Sequence, residues 1–457
     1  MESPVELAAE LILRLAVILI AAKLGGEFAQ RVLRIPALLG ELGAGIAIGP
    51  FALGGIAIGS FGPFFEIPEI IEVVDGAIRH TEAILPVAPE FFFLAQLAAV
   101  LLLFEAGLET NRAQFIKYAR PATAVAMGGV ILPFGLGVVA TLMFGFADTD
   151  SIIGFLPALF VGTAMTATSV GITARVLADM NKLHVPEGVT VLGAAVVDDV
   201  LGLLILTVVI GINETGEVSA GSIVFVALKA IGFWLGLTIV GTLLSNYISR
   251  GVTWFKTTGA VLGLALGIAF LAAGVAELFG LAMIIGSYSI GLALSSTELR
   301  HRIEEPMRTV NQFVVPVFFV VIGMQVDIPA IIEGALLFGV VLSVLAIVSK
   351  LLGAGVPALF VGFNRVGSWR IALGMLPRGE VALIVAGIGL GAGVIGSEIF
   401  GVVIMMTLIT TVLAPLLLVP AFAKGGSGLR KGEPDATLAP ERPDEPVAGS
   451  GSPGDAG

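Results

Sequence analysis

The stretch GAAVVDDVLGLLIL, residues 193–206, places two adjacent carboxylates in the middle of an apolar segment. The residues on both sides are also apolar, so the segment is long enough to cross a lipid bilayer, which takes about 20 residues. A charged side chain at membrane depth is costly and usually marks a functional site. Asp198 and Asp199 are therefore the first candidates for such a site.

The composition indicates a polytopic membrane protein. Hydrophobic residues make up 57% of the 457 residues and charged residues only 13%, whereas soluble domains carry about 25% charged residues. The absence of cysteine excludes disulfides, thiol chemistry and cysteine-bound metals. The net charge of −11 argues against a nucleic-acid partner. No cofactor and no enzymatic activity are expected.

Apolar stretches of roughly 20 residues predict an all-α fold with thirteen transmembrane helices. Residues 1–422 form the transmembrane domain, and residues 57–90 within it are predicted to be an external interfacial insertion with an amphipathic helix. Residues 423–457, rich in proline and glycine, are predicted to be a disordered cytoplasmic tail. The thirteen spans lie near residues 5–24, 36–56, 91–108, 122–146, 152–178, 189–212, 222–248, 257–278, 280–297, 310–328, 331–362, 367–393 and 398–422.

The basic residues predict the orientation in the cell membrane. With the N-terminus outside, nineteen of the 24 Lys and Arg residues fall on the cytoplasmic side, and the opposite loops hold only Arg79. The positive-inside rule then predicts an external N-terminus, a cytoplasmic C-terminus and an odd number of spans. The nineteen residues are Lys23, Arg31, Arg34, Arg112, Lys117, Arg120, Arg175, Lys182, Arg250, Lys256, Arg300, Arg302, Arg308, Arg365, Arg370, Lys424, Arg430, Lys431 and Arg442.

Lys350 is predicted to lie deep in a membrane span, because long uncharged stretches flank it on both sides. Neighbouring positions on a helix point about 100° apart, so one aspartate can face Lys350 while the other faces a water-filled cavity. Two carboxylates this close also raise the proton affinity of at least one of them. The alternative interpretation of Lys350 is a salt bridge that only locks two helices together.

Two further spans contain residues that interrupt a membrane helix. Residues 162–176 carry five Thr and Ser side chains, and residues 374–384 include the sequence PRGE. Proline removes a backbone donor, and freed backbone groups at membrane depth are tolerated only inside protein or beside water. As spans five and twelve these segments run in opposite directions, which is the pattern of discontinuous helices in inverted repeats around a transport site. Helix packing is the alternative for the Thr and Ser run.

The order of seven motifs resembles the monovalent cation/proton antiporter superfamily, in particular its two-aspartate branch of NapA-like Na+/H+ antiporters. The likeness covers about residues 10–422. It implies a homodimer in membrane lipid, in which each 13-helix subunit has a dimerisation domain and a mobile core domain. The motifs are GELGAGIAIGP (40–50), LLFEAGLET (102–110), TATSVGITARVL (166–177), GAAVVDDVLGLLIL (193–206), EEPMRTVNQFVVPVFFVVIGM (304–324), SKLLG (349–353) and PRGEVALI (377–384).

The resemblance also implies roles for particular residues. Asp199 is implied to be the essential cation- and proton-binding acid, and Asp198 to pair with Lys350, so that the two aspartates would be the Na+ ligands. Glu41 matches an acid that is usual in the family. The alternative interpretation is that Glu41 only forms a hydrogen bond within the dimerisation domain. The other matches are Thr168 and Ser169 in the first unwound crossover, and Arg378 and Glu380 in the second. Glu105 departs from the family pattern, because it places an acid where the family commonly has an apolar residue, and an extra ion pair or altered coupling is expected there.

The expected reaction is exchange of Na+ or Li+ for protons, since one site holds either the cation or protons. If Na+ enters at the aspartates, Lys350 loses its partner and can release a second proton, so the cycle moves net charge. A Kef-type K+/H+ antiporter is the main alternative, although the tail shows no resemblance to a nucleotide-binding domain. An intramembrane aspartyl protease usually has its acids on separate helices with a GxGD motif, whereas here the acids are adjacent and no GxGD occurs. A channel needs no buried lysine paired with acids. Both alternatives are therefore disfavoured.

Overall fold

The computed structural model describes residues 3–57, 62–74, 77–82, 86–215, 220–255, 257, 259–327 and 335–430. Sixteen α-helices and one β-hairpin lie within these ranges. A π-helical turn, Ala29–Leu33, follows α1, and a 3-10 turn, Leu53–Gly55, follows α2. The helices are α1 (Pro4–Phe28), α2 (Ala37–Ile48), α3 (Pro89–Glu109), α4 (Arg112–Lys117), α5 (Ala119–Met143), α6 (Ile152–Thr166), α7 (Val170–Asp179), α8 (Pro186–Thr215), α9 (Ala220–Thr253), α10 (Ala260–Leu278), α11 (Met283–Leu294), α12 (Glu298–Met324), α13 (Leu336–Phe360), α14 (Arg365–Gly374), α15 (Glu380–Gly391) and α16 (Ser397–Ala423).

The multi-pass membrane architecture is confirmed. Each of the thirteen predicted spans coincides with one helix or with a pair of shorter helices separated by a break. Within the described ranges, ten helical segments are long and apolar enough to cross a membrane. The other predicted spans correspond to α1, which carries several charges, to the 12-residue α11, and to the pair α14 and α15. The number thirteen itself stays a prediction.

The helices pack in two groups. The first contains α5–α8 and α13–α16, with α5 packed against α6, α8 and α13, and α15 packed against α6 and α16. The second contains α1–α3 and α9–α12. Within the first group the same order occurs twice: a long helix, two short helices separated by a break, and a second long helix. This repetition matches the predicted internal repeats, and it brings the two breaks into the same group of helices.

The prediction of an amphipathic helix in the insertion is wrong. Strands β1 (Glu69–Val74) and β2 (Ala77–Glu82) form an antiparallel hairpin there, with Glu69 opposite Glu82 and Val74 opposite Ala77. The sequence EIIEVV is rich in β-branched residues, which favour strands. It is followed by the dipeptide Asp-Gly, which favours two-residue hairpin turns. These local preferences outweigh the helical spacing of the isoleucines and valines.

Residues 424–430, at the start of the segment predicted to be disordered, have a defined structure. We call them the C-terminal strap. Leu429 forms an isolated β-bridge with Phe363 and is 6% exposed, and it packs in a cluster with residues of α5, α8 and α14. The Asn364 amide donates hydrogen bonds of 2.8 Å to the carbonyls of Ser427 and Leu429. The remainder of the predicted tail, residues 431–457, lies outside the described residues.

Candidate functional site

The two helix breaks contact each other directly. The first lies between Thr166, the last residue of α6, and Val170, the first of α7. The second lies between α14 and α15. The Ser169 amide donates a 2.8 Å hydrogen bond to the Pro377 carbonyl across the breaks, and the Thr173 hydroxyl donates one of 2.6 Å to the Gly374 carbonyl. The Ser169 amide and the carbonyls of Pro377 and Gly374, which have left regular helix, therefore find partners on the opposite segment.

Lys350, in the middle of α13, points into the first break and is fully buried. Its ammonium donates hydrogen bonds of 2.8 Å to the Thr166 carbonyl and of 2.8 Å to the Thr168 hydroxyl. The two carboxylate oxygens of Asp198 lie 3.4 and 3.5 Å from the same nitrogen. The Thr166 carbonyl lies at the C-terminal end of α6, where backbone acceptors lack helical partners and favour a positive charge.

The adjacent aspartates of α8 have different surroundings. Asp198 is 2% exposed and is bound both to Lys350 and to the Thr168 hydroxyl. Asp199 is only partly buried. The angular offset expected for neighbouring helical positions therefore places one acid against the lysine, while the other remains more accessible. Helix geometry alone leaves open which aspartate faces the lysine, whereas the family resemblance implies Asp198, and in the structure Asp198 lies there.

A cavity of about 380 Å³ reaches both aspartates from one side of the bundle. It is lined near the breaks by Thr163 and Thr166, and further out by Gln96 near the start of α3 and Glu277 near the end of α10. Exposure rises along the cavity, since Asp198 is buried, Asp199 is partly buried, and Glu277 is exposed. The carboxylates are thus reachable from the side on which α3 begins and α10 ends.

The opposite side of Asp199 is closed by apolar packing. A small void of about 10 Å³ separates Asp199 from Leu192, Val196, Ile285 and Tyr288. All four of these residues are buried, with exposures between 1% and 4%. Among the described residues, this packing closes the side of Asp199 that faces away from the cavity.

Arg378 is a second fully buried cation, and it lies in the second break. It donates hydrogen bonds to three carbonyls, those of Leu376 at 2.8 Å, Ala346 at 3.0 Å and Met165 at 3.1 Å. Its own carbonyl accepts a hydrogen bond from the Thr411 hydroxyl. Arg378 therefore links the end of α6, helix α13 and the second break. Glu380, the other residue predicted for this crossover, is the first residue of α15.

Two predicted intramembrane acids lie away from Lys350, the two aspartates and the helix breaks. Glu105 of α3 is 9% exposed and accepts a hydrogen bond from the Asn311 amide of α12. Glu41 of α2 is 3% exposed. Both belong to the second group of helices, and neither is among the described residues that line the cavity. The ion pair expected at Glu105 is, among the described residues, a hydrogen bond to a neutral amide.

One buried ion pair was missed at the sequence level. Arg370 of α14 lies 2.8 Å from Glu187 at the start of α8, and these residues are 4% and 3% exposed. Arg370 also donates to the carbonyls of Ala421, Gly425 and Gly426. The sequence places Arg370 among the cytoplasmic loop charges, whereas it lies inside a helix. Since 183 residues separate the two partners, no local pattern indicates the pair.

Known proteins that are similar to this chain include Na+/H+ antiporters. The family profile for "Sodium/hydrogen exchanger, transmembrane" matches residues 16–424. The chain is 37% identical to the high-affinity Na+/H+ antiporter NhaS3 of Synechocystis sp., over 95% of this chain and 93% of that protein. It is 33% identical to the Na+/H+-K+ antiporter GerN of Bacillus cereus, over 90% of this chain and 95% of that protein.

The fold resembles a solved structure as well. The sodium proton antiporter MjNhaP1 of Methanocaldococcus jannaschii superposes with a TM-score of 0.62 and 17% identity, over 91% of this chain and 97% of that one. At this identity the likeness concerns the fold alone. The match of the family profile to most of the chain, together with the two relatives above 30% identity, identifies the family. The chain belongs to the transmembrane sodium/hydrogen exchanger family.

Proposed function

We propose that this protein is a secondary active antiporter that exchanges Na+, or Li+, for protons across the cell membrane and moves net charge in each cycle. One observation carries the proposal. A buried lysine is bound to one of two adjacent aspartates, at the meeting point of two helix breaks and at the end of a cavity open to one side. These groups can hold either a cation or protons.

Asp199 and Asp198 are the proposed cation ligands. Na+ is a hard cation that suits oxygen ligands, and the cavity supplies two carboxylates together with the hydroxyls of Thr163 and Thr166. When a cation occupies Asp198, Lys350 loses its counter-charge in a fully buried position. The charged form of the lysine then becomes more costly, which favours release of its proton. One cation would thereby exchange for two protons.

The one-sided cavity supports an exchanger over a channel. An open channel needs a continuous water path, whereas here Leu192, Val196 and Tyr288 close the side of Asp199 opposite the cavity. An antiporter needs such closure, because a site open to both sides at once would let the cation run down its gradient without moving protons. The adjacent position of both aspartates on α8 also disfavours an aspartyl protease, whose acids come from separate helices.

Dimerisation and orientation are part of the same proposal. Helix α1 presents large apolar side chains at its surface, among them Ile12 at 68% and Leu24 at 67% exposure. This face suits membrane lipid or a second copy of the chain, as in the expected homodimer. The distribution of Lys and Arg supports an external N-terminus and a cytoplasmic C-terminus. The cavity then opens to the outside.

Everted membrane vesicles with a pH-sensitive dye test the proposal. After a proton gradient is formed, Na+, Li+ and K+ are added in turn, and each transported cation should release protons and restore the dye fluorescence. We expect responses to Na+ and Li+. The relative GerN is a Na+/H+-K+ antiporter, so a K+ response is the second candidate, and a response to K+ alone would favour the Kef-type alternative. Absence of any response in vesicles that contain the protein would contradict antiport.

A further inference from the structure

Glu277 lies in the last turn of α10 and lines the same cavity as Asp198 and Asp199. These three residues are the only acids among the described residues that line the cavity. The two aspartates lie at its deep end beside the breaks. Glu277 lies at its exposed end, where it borders the short link between α10 and α11. Its carboxylate is thus at the entrance used by an ion that reaches the aspartates from this side of the bundle.

We propose that Glu277 recruits the cation at the mouth of the cavity, a role that rests on the antiport function proposed above. Much of the wall between the mouth and the aspartates is apolar, with Phe92, Leu203, Leu206 and Ile284 among the lining residues. A cleft with low-dielectric walls and charge of one sign concentrates counter-ions and raises their rate of entry. A carboxylate at the mouth therefore raises the local cation concentration.

Glu277 attracts the cation without retaining it. The deep site combines two carboxylates, the hydroxyls of Thr163 and Thr166 and a buried lysine. Glu277 is exposed, so water screens its interaction with a cation. A weak site of this kind changes how often cations enter, while the deep site determines turnover.

A positive charge lies near the same end of α10. Lys229 of α9 donates a hydrogen bond of 3.4 Å to the Leu278 carbonyl, and its ammonium lies 5.5 Å from the centre of the Phe279 ring. Lys229 is not among the residues that line the cavity. Of these two opposite charges, Glu277 is therefore the one that faces an entering cation.

The test uses the sidedness of the cavity. Initial exchange rates are measured against Na+ concentration at low ionic strength, in right-side-out and everted vesicles containing the wild type or Glu277→Gln. For Na+ supplied from the side of the cavity mouth, we expect the KM of Glu277→Gln to rise about three- to tenfold, with maximal rates within about twofold. For Na+ supplied from the other side, KM should not change. Glu277→Asp should retain most of the wild-type affinity.

The matched control is Asp150→Asn, which removes an exposed acid from the link between α5 and α6, outside the cavity lining. Its KM should equal that of the wild type from both sides. Added choline chloride should reduce the difference between Glu277→Gln and wild type, because at about 0.1 M salt charges are screened beyond about 10 Å. An unchanged KM, or a lower maximal rate from both sides, would overturn the recruiting role. A wild type without exchange would refute the antiport function instead.

Discussion

The Lys350 ammonium lies 3.4 Å from the nearest carboxylate oxygen of Asp198, and both residues are almost completely buried. The same nitrogen lies closer, at 2.8 Å, to the Thr166 carbonyl and to the Thr168 hydroxyl. The lysine therefore divides its hydrogen bonds between the acid and the first helix break. A cation that binds Asp198 removes the charged partner of Lys350 but leaves its neutral partners in place, so the lysine can lose a proton without losing its position.

Replacement of Lys350 tests whether it carries the second proton. We expect Lys350→Gln to make any remaining exchange electroneutral or nearly so, because a neutral amide cannot release a proton. Purified wild type and variant are reconstituted in liposomes, and sodium-driven proton flux is recorded with and without a valinomycin clamp of the membrane potential. Wild-type flux should depend on the clamp, and flux through the variant should not.

A change in stability alone does not decide this question. Removing one partner of a buried ion pair costs about 3–5 kcal/mol, so Lys350→Gln should unfold at a lower temperature under either interpretation. Lys229→Gln removes a lysine that does not belong to the ion pair of Lys350 with Asp198. It is the control and should respond to the clamp as the wild type does. If Lys350→Gln also responds as the wild type does, Lys350 is a structural lysine.

Asp199→Asn should abolish sodium-dependent proton movement while the protein still inserts into the membrane. The amide keeps the size of the side chain but cannot take up a proton or a full positive charge. The assay is dye fluorescence in everted vesicles, with membrane insertion checked by detergent extraction and gel filtration. Asp150→Asn should behave as the wild type in the same assay. Near-native exchange by Asp199→Asn would show that the cation is held elsewhere.

Most of the membrane architecture could be predicted because its signals are local. Each apolar stretch is visible by itself, and Pro377 together with the Thr and Ser run around Thr168 indicates where helices break. Lys350 and the aspartates stand out because charge is rare at membrane depth. The resemblance also implies the pairing of Asp198 with the lysine, which the structure contains, and the geometry adds that Asp199 is the more accessible acid.

The features that were not predicted depend on contacts between distant residues. The pairing of Arg370 with Glu187 joins α14 to the start of α8, and a basic residue near a predicted span end looks the same in sequence whether it is exposed or buried. The strap was predicted to be disordered from its glycines, but Leu429 finds an apolar site between α5, α8 and α14. In the insertion, β-branched residues and a turn dipeptide competed with a helical spacing, and the strand preference prevailed.

The pH dependence of exchange should not depend on histidine. Partial desolvation lowers the pKa of His184, although its side chain is exposed, and the positive charges of Lys182 and Arg300 lower the pKa further. Its ring is therefore neutral throughout the range above about pH 6.5, the ordinary histidine pKa. A triple variant with His80, His184 and His301 replaced by Gln should keep the pH profile of transport. A displacement of the profile by more than about one pH unit would contradict this expectation.

The lowered pKa of His184 also determines in which direction pH changes the stability of the fold. Because the unfolded chain binds a proton at His184 more readily than the folded chain does, the native state loses stability as the pH falls below about 6.5 and is unaffected above it. His184→Gln should remove this part of the acid sensitivity. The measurement is the unfolding temperature of both proteins between pH 5 and pH 8, a range chosen around the ordinary histidine pKa. Identical slopes on the acid side would contradict the prediction.

The C-terminal strap should stabilise the fold, and two truncations can show it. A chain that ends after Arg430 keeps all described strap contacts, whereas a chain that ends after Ala423 loses the Leu429 packing and the bonds from Asn364 and Arg370 to strap carbonyls. Loss of a buried leucine side chain typically costs about 2–5 kcal/mol. We expect the shorter chain to unfold at a clearly lower temperature and the longer one to match the wild type. Equal unfolding temperatures for both would show that the strap contributes nothing.

The contact between the two breaks should require a small residue at position 379. A Cβ atom on Gly379 would lie 2.7 Å from the Oγ and 2.9 Å from the Cβ of Ser169. Gly379→Ala must therefore push the breaks apart and strain the hydrogen bond between the Ser169 amide and the Pro377 carbonyl. We expect a stability loss of about 1–3 kcal/mol and a clear decrease in the exchange rate.

A second substitution separates crowding from other causes. Ser169→Gly removes both atoms that the new Cβ would meet, so the double variant Ser169→Gly/Gly379→Ala should be more stable than the sum of the two single effects. This non-additivity is the signature of two side chains that compete for one space. Gly135→Ala, at a position in α5 with open space around it, is the control and should be close to neutral. Additive losses in the unfolding temperature of the double variant would show that the close approach of the breaks is not what requires glycine at position 379.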